Sequence, residues 1–361
     1  MHLLVALSPH GFGHAAQASV VLNALRRRQP DLRVTVQTSL PRAFLAGRID
    51  GGFDYVPRAT DFGLLMHSAL HIDMEASAAR YRQQHRDWEH RVSAEAAAME
   101  ALAPDLLLAD VPYLSLAAAG RAGVPAVALC SLNWAGVYRQ LFGHRPEAPA
   151  ILDQMEAAYN AARLFLCPEP SMPMPELSNV RAIGPLARVG RDCRDAIRSR
   201  LELSHGQRLV LLAPGGVPTH SPMERWPVTE DVHWLVPAAW ESRRPDTTDL
   251  ESLQMDFIDV LRSVDALVGK CGYGTVAECV CNGTPMVYAA RPDWPEEPYL
   301  ADWLTRHGRC APLERDALEE GRVGPALARC WEQPSPAPVA PTGVDEAARL
   351  ILAQRERSGR A

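Results

Sequence analysis

Short, almost wholly apolar runs alternate along the chain with longer stretches of helical period, the pattern of βα units feeding a parallel sheet. In the first half, Leu3–Leu7, Val34–Thr38, Leu106–Asp110 and Ala126–Cys130 predict strands, and Ala15–Arg28 and Tyr81–Leu102 predict helices. In the second half, Leu209–Ala213, His233–Ala239, Ala266–Lys270 and Pro285–Ala290 predict strands, with a helix over Asp249–Ser263. Between the two sets, residues 167–191 lose periodicity and hold Pro168, Pro170, Pro173, Pro175 and Pro185. That composition predicts an extended connection. A second proline-rich break, 334–341, precedes an amphipathic helix over Val344–Arg355. The expected fold class is α/β, with two Rossmann-like domains facing across a cleft. Their bounds are 1–166 for the amino-terminal domain, 167–191 for the linker and 192–341 for the carboxy-terminal domain. Residues 342–361 then form a helix expected to pack back on the amino-terminal domain.

In such folds ligands sit at the carboxyl ends of strands, beside helix amino-termini, so the turns there are the candidate sites. After the first strand comes SPHGFGHAA, in which Gly11-Phe12-Gly13-His14-Ala15-Ala16 fits the dinucleotide form G-x-G-x-x-A. The second strand, however, ends Gln37-Thr38-Ser39 without the acid that would hold a ribose. Ser39 and Arg42 leave a phosphorylated ribose open, yet His10 and His14 have no task in a pyrophosphate cradle.

The turn after Ala266–Lys270 says more. KCGYGTVAE places Gly272, Gly274 and Thr275 where helix N–H groups receive a diphosphate, with Thr275 as the expected cap near a helix start at Val276. Glu278, one turn in, is spaced to accept from ribose hydroxyls. The loop Arg291–Tyr299 then offers Asp293, Glu296 and Glu297 to sugar hydroxyls. The alternative is that Glu278 complements a helix dipole and the loop acids form a solvated face.

KCGYGTVAE followed by GTPMVYAARPDWPEEP resembles the nucleotide-binding half of GT-B glycosyltransferases, both plant-type UDP-glycosyltransferases and the N-acetylglucosaminyltransferase of peptidoglycan synthesis. A closer resemblance, over roughly residues 1–310, is to the glycosyltransferase-like amino-terminal domain of L-arabinokinases. HGFGHA, GKCGYGTVAE and Ser131-Leu132-Asn133-Trp134 carry it. The sugar-kinase domain of those proteins is missing here, so kinase activity is not expected.

The resemblance implies a diphosphate on Gly272, Gly274 and Thr275, the ribose on Glu278 and the donor sugar on Glu296 and Glu297. It also implies that Gly215-Gly216 touches the diphosphate and that Lys270 either pairs with a phosphate or anchors the cleft. The proline-broken VPTHSPMERWPVTEDV, where those families have a helix, departs from the pattern. His14 is implied as the general base, with Asp110 as partner. His10, Gly11, Gly13 and Trp134 fall on the acceptor side, and Trp134 and Tyr138 are candidates to stack on an acceptor or to fill the core.

Composition narrows the classes. A net charge of −6, with no basic block beyond Arg26–Arg28, argues against nucleic acid as a partner. No apolar run reaches the roughly 20 residues of a membrane span. A strand beginning almost at Met1 leads us to expect no targeting segment and a cytoplasmic location. The eight cysteines form no C-x-x-C pair and are expected to be reduced thiols. His67 and His71 have zinc-like helical spacing but no third ligand, so no metal is expected.

Together with the resemblance, these residues imply an inverting, metal-independent transferase of the hexosyl or N-acetylhexosaminyl class, without a cofactor. Its co-substrate would be a nucleotide sugar, expected as a UDP-sugar, and its acceptor a sugar-like or lipid-linked hydroxyl. A UDP-sugar 2-epimerase and a non-catalytic sugar-nucleotide-binding module are the alternatives.

Overall fold

The computed structural model describes residues 1–68, 71–213 and 223–358. It divides into two units, one of residues 1–186 with the chain from Thr342 on, the other of Ala187–Pro341.

The first unit follows β1 (His2–Leu7), α1 (Gly13–Arg28), β2 (Arg33–Gln37), α2 (Arg42–Ala46) and β3 (Asp54–Val56). A small hairpin, β4 (Met66–Ser68) and β5 (His71–Ile72), leads to α3 (Met74–Arg86) and α4 (Trp88–Leu102). Then come β6 (Leu106–Asp110), α5 (Tyr113–Ala122), β7 (Ala126–Leu129), α6 (Trp134–Phe142), α7 (Ala148–Asn160), β8 (Leu164–Pro168) and β9 (Val180–Ile183). The large sheet runs β3-β2-β1-β6-β7-β8-β9 with every pairing parallel.

The second unit contains α8 (Arg194–Arg200), β10 (Arg208–Ala213), β11 (Val232–Val236), β12 (Thr247–Asp249), α9 (Phe257–Ser263) and β13 (Ala266–Lys270). It continues through α10 (Tyr273–Asn282), β14 (Met286–Ala289), α11 (Glu297–His307), β15 (Cys310–Leu313), α12 (Arg315–Glu319) and α13 (Gly324–Glu332). Its sheet, also parallel throughout, runs β12-β11-β10-β13-β14-β15. In both sheets the chain steps outward in one direction, then crosses to the other side. The order therefore reverses between β1 and β6 in the first unit and between β10 and β13 in the second. Those switch points leave crevices at the strands' carboxyl ends, where open α/β sheets bind ligands.

The strands are apolar because helices cover both faces of each sheet; β1, β6 and β7 are buried along their whole length. Four expectations need correction. The helix over Asp249–Ser263 is α-helical only from Phe257, because Asp249 ends β12 and a short 3-10 turn follows it. The stretch read as a linker contributes β9, an edge strand of the first sheet, and the first unit runs on to Leu186. Only Ile183 of β9 is buried, so the strand carries no apolar pattern. The long helix over Tyr81–Leu102 is two helices, broken where Asp87 leaves helical dihedrals at φ −108° and ψ 36°. His67 and His71 lie on the two strands of a hairpin, so their helical spacing does not exist.

The final helix, α14 (Gly343–Ser358), returns to the first unit and lies on α1, as the sequence predicted. It enters through a tight backbone crossing: a Cβ on Gly343 would lie 1.8 Å from the carbonyl oxygen of Gly184. Gly343→Ala is therefore expected to cost about 1–3 kcal/mol by overpacking. The first unit's thermal transition should fall by several degrees, measured by circular dichroism; an unchanged transition would show that the crossing yields.

Candidate functional site

The first candidate centre grows from the β1/β6 switch point. Leu7 and Asp110, the last residues of the two strands, are direct partners in the sheet. The loop after β1 turns on Gly11, whose φ of +73° favours glycine, and α1 then begins at Gly13. A Cβ at Gly11 or Gly13 would meet no protein atom within 4 Å, so the turn is open on that side.

The first turn of α1 presents His14 to Asp110, with Nδ1 2.9 Å from Oδ1. Both side chains are buried, Asp110 completely. A carboxylate can only accept, so the Nδ1–H donates to it and the imidazole's basic lone pair is carried on Nε2.

Three other segments close around this pair. Cys130, just past β7, places Sγ 3.6 Å from His14 Nδ1. Trp134, first in α6, lies 5.9 Å from the His14 ring and 5.4 Å from the His10 ring, centroid to centroid. Its indole N–H donates to Asp61 Oδ2 at 2.7 Å. Burial pushes the Asp61 carboxyl up to about 6, with nearby His14 working against the shift and Asp110 adding to it. Gly63 carries this loop past the rings at φ +65°, where a Cβ would lie 2.7 Å from both His10 and Trp134. His10 Nδ1 sits 3.2 Å from the Leu64 carbonyl, so His10 bridges the glycine turn and the Asp61 loop.

Trp134 is completely buried, as is Tyr138. Stacking on an acceptor is thereby corrected: Trp134 packs beneath the histidines and anchors Asp61. Sequence reasoning missed Asp61, Gly63 and Cys130, which lie on connections with no motif of their own. His14, Asp110 and Cys130 each offer one ligand atom within 4.8 Å of the others, a set of donors that a metal ion could use.

The second candidate centre follows β13. Gly272, extended at φ −132° and ψ 148°, is the N-cap of α10, and the first intrahelical bond runs from Val276 N to Gly272 O. Gly274 and Thr275 thus precede the first bonded N–H, where helix donors face outward. The expected cap is corrected: the helix starts at Tyr273, three residues before Val276, and Thr275 lies inside its first turn.

Glu278 is half-buried, with Oε1 3.6 Å from Arg188 Nε. Asn282 fixes that region by donating to the carbonyls of Glu278, at 2.8 Å, and Arg188, at 2.9 Å. Lys270 closes the turn, and burial beside Arg291 lowers its ammonium to about 8, with Glu296 working against the shift.

Arg291 organises the loop after β14. Its own N–H donates to Glu297 Oε1 at 2.6 Å, its guanidinium lies 3.4 Å from Oε2, and another N–H reaches the Cys271 carbonyl. Its guanidinium also covers the Trp294 ring at 4.9 Å. Glu297 thereby holds the loop against the glycine turn through Arg291. Glu296 is buried, with Oε2 3.5 Å from the Trp294 indole nitrogen, and remains the acid near Lys270. Gly215 and Gly216 lie outside the described residues.

No protein-family model matches the chain. In sequence it is similar to the L-arabinokinase of Arabidopsis thaliana, 24% identical over 356 residues that cover 91% of the chain and 32% of that protein. The chain thus spans about a third of that relative's length. It is also similar to an uncharacterized glycosyltransferase of Methanopyrus kandleri, 21% identical, covering 68% of the chain and 74% of the relative. Among solved structures it is similar to the glycosyltransferase of kitacinnamycin, with a TM-score of 0.61 and 18% identity, covering 99% of this chain and 95% of that one. It is likewise similar to Arabidopsis thaliana UGT89C1 complexed with UDP, with a TM-score of 0.58 and 13% identity, covering 99% and 98%. The fold is GT-B, built of two Rossmann-like units.

Proposed function

We propose that this GT-B chain is a glycosyltransferase that moves a sugar from a nucleotide donor, a UDP-sugar, to a hydroxyl acceptor with inversion at the anomeric carbon. The observation that carries the reading is the buried His14–Asp110 pair, 2.9 Å apart, at the carboxyl ends of the strands flanking the first switch point. Asp110 orients the imidazole and stabilises the imidazolium, so Nε2 can take the acceptor's proton as its oxygen bonds to the anomeric carbon. The bond from that carbon to the diphosphate breaks, and its electron pair leaves on the phosphate oxygen. That charge is assigned to the N–H groups of Gly274 and Thr275 and to Lys270, with Glu278 on the ribose. Direct displacement with one base gives inversion. UDP in the similar UGT89C1 supports the choice of nucleotide.

The test is thermal shift against a panel of nucleoside diphosphates and nucleotide sugars, followed by product analysis. One UDP-sugar should stabilise the protein, and Glu278→Ala should weaken that ligand by about 10–100-fold, the worth of charge-assisted bonds to two hydroxyls. Stabilisation by NADPH alone would refute the reading. Epimerised nucleotide would identify a 2-epimerase, and binding without turnover a sugar-nucleotide sensor.

Metal dependence is decided separately. Turnover is expected to be unchanged after EDTA and gel filtration. A loss restored by zinc or manganese would place a metal on His14, Asp110 and Cys130.

A further inference from the structure

The second unit has another cavity, of about 250 Å³, at the end of its sheet opposite the glycine turn. Its walls come from the amino-terminal ends of β10, β13, β14 and β15: Arg208 opens β10, Asp265 precedes β13, Pro285 precedes β14 and Arg309 precedes β15. Lys270, at the other end of β13, is about 16 Å from Asp265 at ~3.3 Å per residue.

Four arginines, Arg194, Arg208, Arg262 and Arg309, line this space against two aspartates, Asp192 and Asp265. Asp265 cannot neutralise them. Its Oδ2 accepts from Leu209 N at 2.8 Å, and its ion pairs to Arg194 and Arg208 are long, 3.5 and 3.4 Å. Among the described residues, Arg262 and Arg309 make no ion pair. Arg208 is held in place: it lies over the Trp331 ring at 5.2 Å, and that indole donates to the Asp265 carbonyl at 2.9 Å.

Guanidinium groups stay charged at any physiological pH, so four of them against two carboxylates leave the cavity a net positive charge that an anion offsets. Their planar forks match phosphate oxygens in pairs. We propose that this cavity is a second anion site, which binds a small phosphate-bearing ligand carrying one or two phosphate groups. Its volume of about 250 Å³ takes a diphosphate. The assignment stands apart from the transferase reading.

The site also touches the donor-side helix. Asn282 and Gly283, in the cavity wall, end α10, and Asn282 holds the backbone of both Glu278 and Arg188. An occupant there bears on the helix end that positions Glu278.

The experiment is isothermal titration of the full chain with pyrophosphate at constant ionic strength. Wild type, Arg262→Ser/Arg309→Ser and Lys270→Ala are compared, each first checked for an unchanged thermal transition. Wild type and Lys270→Ala should share a binding event that the double variant weakens at least tenfold. If the double variant melts early, Arg309→Ser alone serves, with a smaller weakening expected. Identical titrations of wild type and arginine variants, or loss of all binding in Lys270→Ala, overturn the site. Equal affinity for citrate overturns the phosphate assignment.

Discussion

Replacing His14 with alanine is expected to lower sugar transfer by about 10²–10⁴-fold, the range a positioned general base contributes. The affinity for nucleoside diphosphate should stay within about twofold. The two effects separate because the histidine belongs to the first unit, while the residues assigned to the diphosphate and ribose, Lys270 to Glu278, all belong to the second. Alanine also strands the completely buried Asp110 carboxylate without its partner, which destabilises the fold. His14→Gln answers that objection, because its amide can still donate to Asp110 while offering no base. Both variants should be equally inactive, with Gln melting closer to wild type. Rates are read as sugar transferred to the acceptor that a screen identifies, with melting followed in parallel. A fall of less than tenfold in both folded variants would remove His14 from the chemistry.

The sheets were legible because their strands are buried on both faces and read as unbroken apolar runs. The edges were not: β3, β9 and β12 are three- or four-residue strands with few or no buried positions. Asp110 ends a strand at a switch point, where position marks an acid; His14, on the first turn of α1, was legible through the resemblance of its glycine turn. Asp61, Gly63 and Cys130 were hidden for the opposite reason. They reach the centre from separate loops, and only the packing of Trp134 between them shows that they share it. In the second unit the sequence placed two adjacent acids in the right loop but could not say which one Arg291 would take. The buried guanidinium decides it, by binding Glu297 through the backbone and the side chain at once.

The carboxylates beside His14 are expected to separate by role when each is made an amide. Asp110→Asn should lower transfer by about 10²–10⁴-fold, nearly as much as loss of the base. An asparagine can turn its NH₂ toward Nδ1, which puts the ring proton on Nε2 and leaves no lone pair for the acceptor hydroxyl. Asp61→Asn should cost about tenfold or less, because the amide oxygen still accepts from the Trp134 indole. Its signature is in the pH profile. The Asp61 carboxyl, raised to about 6 by burial, gains a proton as pH falls through that value, and the negative charge beside His14 disappears. Wild-type activity should therefore show an acid limb with a contribution near pH 6 that Asp61→Asn removes.

Stability has its own sign. A carboxyl whose folded pKa lies above its unfolded one is penalised in the fold as pH rises from the ordinary carboxylate range to about 6, and the penalty stays constant beyond. The asparagine variant, which mimics the protonated acid, should thus be at least as stable as wild type above pH 6. An acid limb that persists unchanged in Asp61→Asn would assign it to the His14–Asp110 pair alone.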